Sequence, residues 1–194
     1  MDHVQRRSIQ FRASSIAMYT LGAVFLVPLS IGVLLVNSNA SQNDHVKQIS
    51  RDIASMYAQG MDFSSSANQT IALRVGEGLG MDVRGSNGVL ILSKIRVVHD
   101  SDCEDSAAVP CANKGYPVIT QRYVIGNAAL RTSSFGTPGN IDSATGNVPN
   151  WQNDPAARAQ DFPDHLKPGE FTYAAECYLT SPESRSGVYS RTMY

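Results

Sequence analysis

Hydrophobic positions follow three different rhythms along this chain, and each rhythm predicts a different element. From Ile16 to Val36 the run Ile-Ala-Met-Tyr-Thr-Leu-Gly-Ala-Val-Phe-Leu-Val-Pro-Leu-Ser-Ile-Gly-Val-Leu-Leu-Val carries no charged residue. At a helical rise of about 1.5 Å per residue it covers roughly 30 Å, the hydrocarbon thickness of a bilayer. The expectation is one membrane-spanning helix. After a polar break at 37–43, Val46, Ile49, Ile53 and Met56 recur at helical spacing, with Tyr57 beside Met56 and with Lys47, Gln48, Arg51 and Asp52 turned away. This is the stripe of an amphipathic helix that continues or restarts the first and ends near Gln59, before Gly60. Such a stripe needs a sheet or a partner helix to cover it.

The cap-rich run Asp62-Phe63-Ser64-Ser65-Ser66 precedes Ala67, Ile71, Val75 and Leu79 at a spacing of four, which predicts a second short helix over 66–78. Gly76-Glu77-Gly78-Leu79-Gly80 terminates it; lying after a helix, with no Lys-Ser/Thr behind it, the cluster reads as punctuation and not as a phosphate cradle. The rhythm then changes to two. Val89, Ile91, Ile95 and Val97 oppose Lys94 and Arg96, and Ile119, Tyr123 and Ile125 oppose Thr120 and Arg122. Phe171, Tyr173, Ala175, Cys177 and Leu179 share one face of a third strand, and 188–194 forms a short fourth. Asn87-Gly88 opens the first strand, and the first two strands are expected to pair antiparallel. The predicted fold class is α+β, with a long N-terminal helix packed on a small antiparallel sheet.

Between strands two and three, residues 126–170 are dominated by Gly, Pro, Asn, Ser and Asp. So long a stretch without regular structure is expected to be functional or disordered. One or two helical turns are expected at Asp154-Pro155-Ala156-Ala157-Arg158-Ala159, where Asp suits the N-cap and Pro the first helical position.

Charge orients the apolar run. Arg6, Arg7 and Arg12 precede it and neutral polar residues follow, so 1–15 is expected on the cytoplasmic side and 37–194 outside, held in a single-pass inner membrane. A secretory signal peptide cut near Ser38-Asn39-Ala40 is the main competing reading. The run exceeds the usual signal core of about 7 to 15 residues, which favours retention. A buried helix of a soluble protein competes less well, because such a helix rarely lacks a polar face. Pro28 sits mid-span, while Gly22, Ser30 and Gly32 would let another helix approach.

The chain has 194 residues and a formal net charge of -1. The basic head makes the outer part the more acidic one, and without a basic patch nucleic-acid binding is not expected. Three cysteines all fall in that outer part. Cys103 and Cys111 bracket a short polar loop and are expected to form a disulfide, which the chain-entropy account values at roughly 2 to 3 kcal/mol. Cys177 is left over, as a buried free thiol or as a partner for another chain.

Candidate chemistry is sparse. Asp100, Asp102 and Glu104 alternate as at the start of a calcium loop, but the sixth position is Asp105 and the twelfth is Cys111, so a solvated loop is the better reading. His3, His45, His99 and His165 show no metal-ligand spacing, no serine lies in Gly-x-Ser-x-Gly, and no cofactor is implied. An anchored hydrolase would need a cleft gathering His99 or His165 with a serine and an acid. The sequons at Asn39 and Asn68 mark exposure at most, and no internal repeat is visible.

A basic head, an apolar helix continuing into an amphipathic one, and then a small antiparallel sheet resembles the plan of type IV pilins and pseudopilins. The chain most resembles the TadE-like minor pilins of tight-adherence (Tad) pili. The resemblance is carried by Ala23-Val24-Phe25-Leu26-Val27-Pro28-Leu29, by Ile49-Ser50-Arg51-Asp52-Ile53-Ala54-Ser55-Met56-Tyr57-Ala58, and by Gly169-Glu170-Phe171-Thr172-Tyr173-Ala174-Ala175-Glu176-Cys177-Tyr178. It implies a structural role: a minor pilin or pilus-assembly component whose partners are the membrane and other pilus subunits. The helix stripe of Val46, Ile49, Ile53 and Met56 would then pack beside like helices. Such pilins usually present a Gly cleavage site followed by a Glu. Here no acidic residue lies between 3 and 43 and the first Gly, Gly22, is inside the span, which argues against trimming by a prepilin peptidase. The alternative is a single-pass anchored binding or sensor module that recognises a ligand through 126–170. Intact mass of the native protein should give about 21.0 kDa if the head and span are retained; a mass matching a start beyond Ala40 would remove the anchor.

Overall fold

The computed structural model describes residues 41, 43–78, 80–82, 84–103, 111–162, 166–180 and 187–194. The basic head and the apolar run Ile16–Val36 lie outside the described residues, and so does the membrane span expected there. Among the described residues no helix is long and apolar enough to cross a membrane. Helix α1 occupies 43–58 and α2 Ser66–Glu77. Strands β1 (Gly88–Val97), β2 (Pro117–Gly126), β3 (Phe171–Thr180) and β4 (Gly187–Met193) form one sheet in the order β2-β1-β3-β4, with every neighbouring pair antiparallel. The α+β architecture is as the sequence rhythm indicates.

Helix α1 lies on one face of the sheet through the residues of its stripe. Val46, Ile49 and Ile53 are buried, with Met56 half-buried, in a core completed by Ala54, Tyr57 and Phe63, Leu90 and Leu92 of β1, Tyr123 and Ile125 of β2, and Ala175, Cys177 and Leu179 of β3. The stripe is therefore covered by the chain's own sheet and is not an open surface for a neighbouring helix. Ser50, also fully buried, meets the β4 edge through Ser190 Oγ at 3.1 Å and Thr192 Oγ1 at 3.0 Å.

Helix α2 forms where its sequence signals place it, and the side it turns inward is not the row at a spacing of four. Ala67 and Ile71 are exposed, whereas Ala72 and Gly76 are buried and Leu73 and Val75 pack at the core margin. The small residues decide this rotation: a Cβ on Gly76 would stand 2.7 Å from Met81 Sδ, so this side of the helix comes closer than a row of larger residues would permit.

In β2 the alternation also breaks. Between Lys94 and Ile95 the register jumps from Gln121 to Ile119, leaving Thr120 as the extra residue of a bulge. Ile119 consequently packs in a second core on the opposite face from Tyr123 and Ile125, not on the same side as expected. Because β1 is central and covered on both faces, Leu90 and Leu92 are buried as completely as Val89 and Ile91, giving the continuous apolar run of an interior strand.

The second core explains the stretch 126–170. Phe135, Val148 and Ala157 from this stretch are buried against Ile95, Val98, Val118, Ile119 and Ala174, with Trp151, Ala159 and Phe162 packed at the margin. It contains little regular structure beyond a 3-10 turn at Pro155–Ala157, capped by Asp154 Oδ1 accepting from Ala156 N at 2.9 Å. It is nevertheless a layer of the fold, covering the sheet face that the helices leave bare. Cys103 and Cys111 are joined in a disulfide with Cα atoms 5.6 Å apart, and Cys177 is a buried free thiol.

If both layers are folding core, Ile53→Ala should cost about 2–5 kcal/mol and Phe135→Ala about 3–5 kcal/mol of unfolding free energy in urea titrations. An unchanged midpoint for the Phe135 variant would show that 127–162 is not a structural layer.

Candidate functional site

Two polar features stand out against the apolar cores. The first is internal. Glu176 on β3 and Arg122 on β2 are almost fully buried on the face opposite the helices. Glu176 Oε1 accepts from Ser134 N at 2.8 Å, Ser134 Oγ at 2.8 Å and the Tyr189 hydroxyl at 2.6 Å, while Oε2 accepts from Ser133 Oγ. Arg122 Nη2 donates to that same Ser133 Oγ at 3.0 Å, its Nε and Nη2 reach Ser93 Oγ, and its Nη1 donates to the Gly136 carbonyl. Ser133 thus relays between two buried opposite charges. Burial brings the Arg122 guanidinium down to about 10, and the nearby Glu176 charge works against that shift. This network ties 133–136 to the sheet.

The second feature is an open groove of about 430 Å³ lined by Lys94, Arg96, Thr120, Gln121, Asn147, Val148 and Trp151. The sheet supplies its floor, beside the Tyr57 end of α1, and 147–151 supplies a wall along the outer edge of β2. That wall is built by Arg122 N donating to Gly146 O at 2.7 Å and Val148 N donating to Thr120 O at 2.9 Å. Gly146, at φ +69°, has to be glycine, since a Cβ would stand 2.5 Å from the Tyr123 ring. Farther along, the buried Asn113 side chain donates to the carbonyls of Trp151 and Asp154, both at 2.7 Å, and so fixes the Trp151 turn.

The groove's polar groups differ in what they have left to offer. Gln121 is saturated, accepting from the Tyr57 hydroxyl at 2.8 Å and donating toward the Tyr123 hydroxyl, Thr145 O and Asn147 Oδ1. Arg96 is clamped on Asp102, Nη2 to Oδ1 at 2.8 Å and Nε to Oδ2 at 3.1 Å. Lys94 Nζ lies 4.7 Å from the Phe171 ring centre and 5.5 Å from that of Tyr173, and no carboxylate among the described residues pairs with it. One uncompensated cation therefore sits on an aromatic shelf at the groove.

The residues singled out by sequence scatter. Asp100 pairs with Lys114 at 3.0 Å and Asp102 with Arg96, while Glu104 and His165 lie outside the described residues. His99 caps the 3-10 turn Asp100–Asp102: its Nδ1 accepts from Ser101 N at 3.2 Å, and its own N–H donates to Asp102 Oδ2 at 2.9 Å. Ser101 Oγ, 3.0 Å from that ring nitrogen, belongs to the same cap. The groove was not identified from sequence, because its residues are far apart along the chain. The one signal pointing to it is the lone Trp, Trp151, standing in an otherwise polar stretch.

Two predictions concern the buried polar groups. Arg122→Met should cost about 3 kcal/mol or more, because it strands Glu176, and the R122M/E176Q double variant should cost less than the two singles together; strict additivity in urea unfolding would show that the groups do not communicate. Burial also pushes the Cys177 thiol up from 9.0 to about 12, and pushes up the Tyr57 hydroxyl and, to about 12, that of Tyr123. The folded chain holds these protons more tightly than the unfolded one, so their contribution is complete below pH 9 and is lost as pH rises. Arg122, lowered, acts in the opposite sense around and above pH 10, while the tyrosines, Tyr189 among them with its hydroxyl also pushed up to about 12, begin to act as pH nears 10, so Cys177 sets in first. Its share of the fall between pH 9 and 10 should reach up to about 1.4 kcal/mol per pH unit, and Cys177→Ala should make that interval shallower; an identical slope in the variant would contradict the assignment.

No known family model matches the chain, and neither does any curated protein or solved structure.

Proposed function

We propose that the chain is a structural subunit of a Tad-type pilus, a minor pilin or assembly component held in the inner membrane by Ile16–Val36 with its domain outside. The observation that carries this reading is the order of elements: a charge-free run long enough to span a bilayer leads, across a short polar break, into an amphipathic helix laid on a four-stranded antiparallel sheet. The Cys103–Cys111 disulfide is consistent with an oxidising outer compartment.

The buried stripe changes how such a subunit would assemble. Val46, Ile49 and Ile53 are already covered by their own sheet, so contacts with like helices fall to the apolar run, whose small residues Gly22, Ser30 and Gly32 would let a second helix pack closely within the membrane. The outer domain is left to make contacts through its exposed surface. Sheared surface filaments should carry the protein with them. Its exclusive recovery in the membrane fraction, together with undiminished pili when the protein is deleted, would overturn the pilus reading in favour of an anchored binding module.

A further inference from the structure

We propose that the groove over β1 and β2 is a binding site for an acidic saccharide, one carrying a single carboxylate per sugar ring. Its charge argues for the carboxylate. Arg96 is neutralised by Asp102, so Lys94 is the one cation of the groove left uncompensated among the described residues. A single net positive charge suits a monoanionic group and is too little for a polyphosphate chain. Phe171 and Tyr173 hold the ammonium by its attraction to their ring faces and leave its hydrogen-bonding capacity available.

The wall argues for the sugar. Trp151 is half-buried against the second core and its turn is fixed through Asn113, so it offers a fixed apolar face to the C–H side of a ring. Asn147 Nδ2 is free of partners among the described residues and lies on the same wall as a donor to a hydroxyl. An aromatic face, an amide and a cation together fit a polyhydroxylated ring bearing a carboxylate better than they fit an aliphatic acid. At about 430 Å³ the groove is at the small end of ligand sites, matched to a mono- or disaccharide unit of a longer chain. An acidic peptide fits less well, because extended peptides gain affinity from an open strand edge. Along the groove the β2 edge is already taken: Thr120 O by Val148 N, Arg122 N by Gly146 O, and Pro117 O by Ala159 N at 2.8 Å.

The chain contains one tryptophan, so its emission reports on this groove alone. The full-length chain in detergent is titrated with oligogalacturonate and with a neutral maltooligosaccharide of equal length. A saturable emission change is expected with the acidic sugar, at least tenfold weaker with the neutral one. It should weaken at least tenfold in Lys94→Gln, be restored in Lys94→Arg, and persist in Lys47→Gln, a control on the exposed side of α1. The absence of a saturable change, equal response to both sugars, undiminished binding by Lys94→Gln, or reproduction of the change by sulfate at the same concentration would each overturn the proposal.

Discussion

The carboxylate of Glu176, taken out of water on the face of the sheet opposite α1 and α2, is the constraint from which much of this structure follows. A buried charge of this kind costs several kcal/mol unless its lone pairs are met. Within the sheet Tyr189 of β4 meets one of them, and the others are met by residues arriving from outside it. Ser133 and Ser134 provide three of the four hydrogen bonds and Tyr189 the fourth. Fixing these serines places Phe135 in the second core, and Phe135 O in turn accepts from Gln160 N at 3.0 Å. Arg122 closes the arrangement through Ser133, Ser93 and Gly136. A glycine- and proline-rich stretch thereby acquires a definite path over the sheet without a regular backbone ladder.

The two sides of the sheet are covered by different means, and the groove arises where the coverings stop short. Helix α1 ends at residue 58, with Gly60 in a left-handed conformation at φ +90°, and Tyr57 is its last side chain in the core. Lys94, Arg96 and Phe171 lie farther along their strands. On the β2 side, the stretch that covers the opposite face returns along the strand edge and raises Asn147 and Trp151 beside them. The same packing that completes the fold therefore also shapes this polar recess. Because the helix stripe is enclosed by the chain's own sheet, it offers no surface for contacts beyond the chain, whereas this recess does.

The sequence rhythm identifies the helices, the strands, the 3-10 turn at Pro155 and the pairing of Cys103 with Cys111, because each depends on local periodicity, capping or a short separation. It does not reveal the inward side of α2, where Ala72 and Gly76 matter by being small and so do not appear in a hydrophobic pattern. It misses the change of phase at Thr120, since a bulge is a property of two paired strands and not of one. The stretch 126–170 reads as a loop because its buried residues, Phe135, Val148 and Ala157, are too widely spaced to form a period. What orders it is a glutamate on a strand and an arginine on another, residues that a polarity pattern assigns to solvent. The groove is hidden for the same reason: its lining comes from β1, β2 and a distant stretch that meet only once the sheet has formed.

Native-state hydrogen exchange on the full-length chain tests most directly whether the Glu176-anchored stretch is a layer of the fold. The amides of Ser134, Val148 and Gln160, which donate to Glu176 Oε1, Thr120 O and Phe135 O, should exchange on the slow timescale of the β1 and β3 amides. Exchange of these three at the rate of an unfolded chain, while the strands stay protected, would contradict the account.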